Sequence, residues 1–232
     1  MFEPGKYLDF NQTDHASLFI EGQPVWLAIG GIARYLDRLI DSVEGGLVQG
    51  SIHERALIGD RVYIAQGATV EANAVINGPA WIGSGSTVRS GAYIRANVIA
   101  GNDCILGNSC EFKNCLLFNN CEVPHFNYVG DSILGFKSHL GAGVICSNVR
   151  LDRANVKVRD GEGSTIDTDL RKFGAVVGNY TEVGCNTVLS PGSVLGNNCV
   201  LYPSTSWQGV LPANSIVKTR QAHQIVERRS PD

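Results

Sequence analysis

The chain has 232 residues and a formal net charge of −3, from 19 Lys and Arg against 22 Asp and Glu. That length holds one domain with appendages, and that charge gives no footing for nucleic acid. No apolar run approaches the roughly 20 residues of a membrane span. The first residues, MFEPGKYLDF, lack the pattern of a secretion signal. None of the seven cysteines forms a CxxC pair, so the expected setting is a reducing cytoplasm with neither a disulfide framework nor a zinc site.

Residues 1–46 read as an arm and a helix. The arm, to about residue 22, shows no strong period. Pro24 then stands where a first helical turn begins, and Val25, Ile29, Ile32, Leu36, Leu39 and Val43 recur at helical spacing.

From about residue 47 a period of six takes over. Ile58, Ile64, Val70, Ile76, Ile82, Val88, Ile94, Ala100, Leu106, Phe112 and Phe118 follow one another at six-residue steps, all apolar, each with a small or aliphatic residue two positions before it. Neither helix nor simple strand has that period. Three flat faces closing a coil of about eighteen residues do have it, with coils stacked about 4.8 Å apart. The expected fold is therefore all-β, a parallel β-helix of the hexapeptide type. Cys104, Cys110 and Cys199 fall on its small inward positions, and Cys115 and Cys121 on corners. The helix before it is expected to close the open end of the stack.

The register slips at Pro124, since the next inward residues are Leu134 and Leu140. An insert over about 147–173 interrupts the repeat, and NVKVRDGEGSTID within it predicts a β-hairpin turning at Asp160-Gly161. The repeat resumes at Val177, Val183, Leu189, Leu195, Leu201 and Trp207, making about seven coils that end near residue 211. The tail, 212–232, is polar and basic and predicts a short helix.

Chemistry enters at three places. Arg95 and Lys113 each follow an inward residue and are eighteen apart, so they stack at one corner as a cradle for phosphate. His125, at the slip, has the chemistry of a general base. The other histidines, His15, His53, His139 and His223, form no metal-binding spacing, and no metal is expected.

Arg95-Ala96, Glu111-Phe112-Lys113, His125-x-x-Tyr128-x-Gly130-Asp131, Gly141-Ala142-Gly143 and Asn148, in this order, carry a resemblance over about half the chain. The chain resembles the acetyltransferase domain of the bifunctional N-acetylglucosamine-1-phosphate uridylyltransferase/glucosamine-1-phosphate acetyltransferase. Arg171-Lys172-Phe173-Gly174, closing the insert, is similar to the archaeal sugar-1-phosphate nucleotidylyltransferase/acetyltransferase version. The resemblance implies a left hand for the β-helix, a homotrimer with sites between subunits, and acetyl-coenzyme A as co-substrate. It implies that Arg95, Lys113 and Lys172 hold a sugar phosphate that Tyr128 also contacts, and that His125 deprotonates the 2-amino group. Ala142 and Asn148 would line the coenzyme A side. The chain departs from the pattern at His139, an amino-sugar contact usually Asn, at Val149, usually Tyr, and at Cys185, usually Ser.

The leading expectation is an acyl-coenzyme A-dependent N-acyltransferase acting on an amino-sugar 1-phosphate or nucleotide-linked amino sugar. A nucleotidyltransferase domain is not expected, because 46 residues cannot hold one and no Gly-rich phosphate loop is present. The alternative is a non-catalytic trimer that binds a sugar phosphate or nucleotide sugar, or serves as an assembly subunit. A γ-type carbonic anhydrase would need a three-histidine cluster that the chain lacks. The expected partners are small-molecule substrates and two further copies, with neither nucleic acid nor membrane.

Overall fold

A computed structural model describes residues 2–159, 163–220, 222 and 224–228. Short strands wind into three parallel sheets of nine, eight and eight strands, which form faces 1, 2 and 3 of a β-helix. The first strand of each is Ser51–Ile52, Leu57–Ile58 and Val62–Ile64 respectively. Each strand points at least one apolar residue inward, and Val70, Ile76, Ile82, Val88, Ile94 and Leu106 are among the fully buried core. Ile76 and Ile94 pair in adjacent coils, eighteen apart. β-branched residues fill the flat faces, while corners take left-handed Asn, Asp and Gly, which tolerate positive φ.

The slip comes earlier than Pro124. Ile94 still pairs with Phe112, but Ala100 pairs with Leu117, seventeen residues on. Ala100 and Phe118 are therefore not stacked. Leu117 takes the inward place, and Phe118 is buried beneath the N-terminal arm, its ring 6.3 Å from Phe10 and 6.0 Å from Phe19. Cys115 and Cys121, expected at corners, move onto the small inward positions and are fully buried. A second residue is lost one coil later, between Val129 and Leu134. Both deletions lie at the corner between faces 2 and 3, where the insert then leaves the coil after Cys146 and returns at Ala175.

The insert holds the expected antiparallel hairpin, Lys157–Arg159 against Thr165–Asp167; its turn at Asp160-Gly161 lies outside the described residues. The nine strands of face 1 exceed the seven coils expected, and its last strand, Ile216–Val217, pairs with Val200–Leu201, within the segment read as tail. Among the described residues after it none is helical, and His223 is not described.

The helix α1, Leu27–Asp41, does not close an end of the stack. It lies along face 3 against the strands Val98–Ala100 and Cys115–Leu117. The reason is written on that face. Its outward column runs Tyr63, Trp81, Ile99, Leu116, Ile133, Val176 and Val194, all apolar. Left open, the column would form an apolar patch the length of the molecule. The arm and α1 cover it, so that Ile99, Leu116, Ile133, Val176 and Val194 are fully buried. The helix buries Ala28, Ile29, Ile32, Leu36 and Ile40, with Ile40 in the place expected of Leu39. Arg61 ties the end of α1 to the early coils through Asp37 and Asp41. No described helix is long and apolar enough to cross a membrane.

Candidate active site

Face 2 stays open, and three consecutive coils place most of the expected residues on it or at its two edges. Lys113 lies on the strand Glu111–Lys113, Tyr128 on Tyr128–Gly130, and Asn148 just past Ile145–Cys146. The register pairs Glu111 with Tyr128 and Lys113 with Gly130. The shortened corner pairs Lys113 with Gly130 and leaves Asp131 next to it, within reach of both Lys113 and Asn114.

At that edge Lys113 Nζ donates to both carboxylate oxygens of Asp131, at 2.9 and 3.1 Å. Asn114 Nδ2 donates to Asp131 at 2.8 Å, and Asn148 Nδ2 also donates to it. Asn148 Nδ2 reaches the Tyr128 hydroxyl at 3.2 Å as well. Burial pushes the Tyr128 phenol up, the Asn148 hydrogen bond works against that, and the carboxylates of Asp131 and Glu111 add to it. One coil above, Arg95 pairs with Glu111 at 2.9 Å, both side chains half-exposed. That hydrogen bond is the main reason the Arg95 guanidinium is held above its ordinary value. The stacked cations Arg95 and Lys113 thus each have a carboxylate of their own, which relieves the repulsion expected between two unpaired charges. Lys172 is exposed on the returning limb of the insert, and its neighbour Phe173 donates its N–H to the Asn148 carbonyl at 3.0 Å.

His125 stands at the other edge, the corner between faces 1 and 2, five residues before Gly130. The chain turns at Phe126 between them, so at about 3.3 Å per residue His125 is at most ~16 Å from Gly130, the residue paired with Lys113. Its side chain is exposed and its corner is rigid: Asn127, 3% exposed, accepts the His125 N–H at 3.1 Å and donates to the Gly141 carbonyl at 2.7 Å. Ala142 and Cys185 follow His125 down the same column, linked by the Gly143 N–H to the His125 carbonyl and the Asn186 N–H to the Ala142 carbonyl. Cys185 is exposed and Val149 half-exposed. Beside this column a groove of about 340 Å³ runs over face 1, lined by His139, Gly141, Glu182, Cys185, Tyr202 and Pro203. His139 there pairs with Glu182 at 2.8 Å.

One chain therefore brings Lys113, Tyr128 and Asn148 together, with Arg95 one coil above. It sets His125 with Ala142 and Cys185 at the opposite edge, and His139 around the corner on face 1. Asn148 is with the sugar-phosphate group of residues and apart from Ala142 and Cys185. Glu111, Asn114, Asn127 and Asp131 were not singled out for roles from sequence. For Asp131 the signal was in the sequence, since it stands eighteen residues after Lys113, the same spacing that stacks Lys113 on Arg95. Among the described residues no three His, Cys, Asp or Glu come together as a metal site.

Comparison with known proteins gives the same picture as the motifs. Residues 76–166, which include Arg95, Lys113, His125, Tyr128, Ala142 and Asn148 but neither Lys172 nor Cys185, match a family model described as the GMPPB C-terminal domain. A bifunctional sugar-1-phosphate nucleotidylyltransferase/acetyltransferase of Sulfurisphaera tokodaii is 37% identical over 35% of this chain and 20% of its own length. The bifunctional protein GlmU of Methanocaldococcus jannaschii is 35% identical over 43% of this chain and 24% of its own. The chain thus spans about a quarter or less of the length of these relatives. The resemblance to the acetyltransferase part of such bifunctional proteins stands. Among solved structures, the acetyltransferase domain of PglB from Neisseria gonorrhoeae, in complex with acetyl coenzyme A, is similar over 90% of this chain and 80% of that one, at 14% identity and a TM-score of 0.31.

Proposed function

We propose that the protein is an acyl-coenzyme A-dependent N-acyltransferase, most simply an acetyltransferase, whose acceptor is an amino-sugar 1-phosphate or a nucleotide-linked amino sugar. The observation that carries this reading is the shared face: Lys113, His125, Tyr128 and Ala142 occupy three consecutive coils around face 2, the open face that the motifs mark. Lys113, Arg95 and Lys172 would hold the sugar phosphate, with Tyr128 and Asn148 beside Lys113. His125 takes a proton from the 2-amino group as its nitrogen attacks the thioester carbonyl. The C–N bond forms, the C–S bond breaks, and coenzyme A leaves as the thiol or thiolate. A backbone N–H at that corner stabilises the oxyanion. Coenzyme A would lie along the column of Ala142 and Cys185, with His139 beside the groove next to it.

The separation of His125 from Lys113 by the width of a face supports a site completed by a second copy, and hence the homotrimer. One subunit would bring its His125 edge against the Lys113 edge of the next. Sedimentation is expected to give a mass near three chains.

The test is a pair of variants. His125→Ala is expected to slow acetyl transfer by roughly 10²–10⁴, the worth of a positioned general base, while glucosamine 1-phosphate binding by calorimetry changes little. Lys113→Ala is expected to weaken that binding first. A transfer rate indifferent to His125→Ala refutes the role of His125. Wild-type protein that binds the sugar phosphate yet transfers nothing supports the binding-module reading, which the departures from the family pattern at Cys185 and Val149 favour.

A further inference from the structure

Asp131 is the most constrained polar group at the Lys113 edge. Its side chain is 4% exposed. An ionised carboxylate has about four lone-pair sites, and here four donor contacts fill them: two from Lys113, one from Asn114 and one from Asn148. No acceptor site remains for a ligand, so Asp131 does not itself touch substrate.

Its effect on the donors around it is specific. A lysine ammonium has three N–H donors, and with two directed to Asp131 the third is left to point out over face 2. Asn148 spends its amide hydrogens on Asp131 and on the Tyr128 oxygen. The phenol oxygen therefore accepts within the protein, and its own O–H hydrogen is free to donate outward. Asn114 closes the back of the arrangement, donating also to the Ile29 carbonyl of α1 at 3.4 Å. One buried carboxylate thus sets the direction of an N⁺–H and an O–H toward the same open space.

We propose that Asp131 is a positioning residue that aims the Lys113 ammonium and, through Asn148, the Tyr128 hydroxyl at the phosphate of the acceptor. This rests on the reading of face 2 as the sugar-phosphate site. Asp131→Asn is the informative change, because it keeps the size, removes the charge and turns an amide N–H₂ toward donors that need an acceptor.

Two readouts separate this inference from the reading beneath it. The first needs no ligand. In the wild type the Asn148 side-chain amide protons, held by a carboxylate, are expected downfield and slow to exchange in ¹H–¹⁵N spectra, and in Asp131→Asn they are expected at ordinary shifts and exchange rates. The second is binding and kinetics. Asp131→Asn is expected to weaken glucosamine 1-phosphate about tenfold or more, the scale of lost charge-assisted hydrogen bonds, while glucosamine without phosphate is affected far less. KM is expected to rise by that factor with kcat within about threefold, the inverse of the His125→Ala pattern.

A folded Asp131→Asn protein that binds glucosamine 1-phosphate as well as the wild type, or better, overturns the proposal. If Asp131→Asn does not fold, Asn148→Ala, at a half-exposed position, is expected to weaken the sugar phosphate several-fold, and unchanged affinity there overturns it equally. A wild type that does not bind glucosamine 1-phosphate removes the acceptor assigned above. In that case Asn148 amide protons exchanging as fast as a free amide would overturn the network too, while protected ones would leave Asp131 as the organiser of a site for another anion.

Discussion

Faces 2 and 3 share one backbone plan and one type of inward residue, yet one is sealed and the other open. The difference lies in the residue just before each inward one. On face 3 the column Trp81, Ile99, Leu116, Ile133, Val176 is apolar throughout and lies beneath the arm and α1. On face 2 the equivalent column reads Tyr93, Glu111, Tyr128, Ile145, with Tyr93 and Ile145 more than 40% exposed. A coil presents three such columns, and their polarity decides which face is spent on stability and which is kept for a ligand. At roughly 1.5–3 kcal/mol for each fully buried large side chain, the covered column matters to folding on the scale of a domain's whole net stability.

The largest expected effect is removal of the cover. Deleting residues 1–43 should leave face 3 as an exposed apolar patch and abolish soluble folded protein, as followed by circular dichroism and light scattering. A soluble, cooperatively folding remainder would mean that face 3 needs no cover. Next comes a matched pair of truncations. Leu116→Ala on face 3 should cost about 2–5 kcal/mol, whereas Ile145→Ala on face 2 should stay within about 1 kcal/mol; urea titration compares them directly.

The arm's docking should also depend on pH. His15 is buried, lies edge-on to Trp81 of face 3 and hydrogen-bonds Tyr35 of α1 at 3.0 Å. Burial lowers its pKa from 6.5 to about 4, with the neighbouring Asp14 acting in the opposite sense. The folded state thus holds His15 neutral where the unfolded chain would protonate it. This contribution is fully present above about pH 6.5 and is lost as pH falls toward 4, by ~3 kcal/mol in all. Melting temperatures between pH 7 and 4 should fall more steeply for the wild type than for His15→Phe. The smallest effect belongs to face 2: Arg95→Ala breaks a half-exposed pair with Glu111 and should change stability by less than about 0.5 kcal/mol, while its effect on sugar-phosphate binding is separate and measured by calorimetry.

Much of this contrast was written in the sequence and hidden by one residue. The six-residue step was legible from Ile58 to Phe112, because each inward position must be apolar. Beyond Lys113 that step continued on apolar residues, Phe118 among them, although the true coil had already shortened at Asn114. Phe118 is apolar because it packs under Phe10 and Phe19, and so it served as a false inward residue. The error concealed the outward run Ile99, Leu116, Ile133 and with it the reason for α1. It also misplaced Asp131, which an eighteen-residue coil stacks directly on Lys113 and the true register puts one place beyond it, with Gly130 opposite Lys113.

The amino-acid sequence alone determined the coil, its three faces, the hairpin insert and the residues carrying the family motifs, because each depends on short-range period and on residue type. The tertiary structure decided which face α1 covers, where the register slips, and that Asp131 rather than a ligand meets the Lys113 charge. Those outcomes depend on how many residues turn one corner, and a missing residue leaves the composition of the chain almost unchanged while moving every side chain after it by one place.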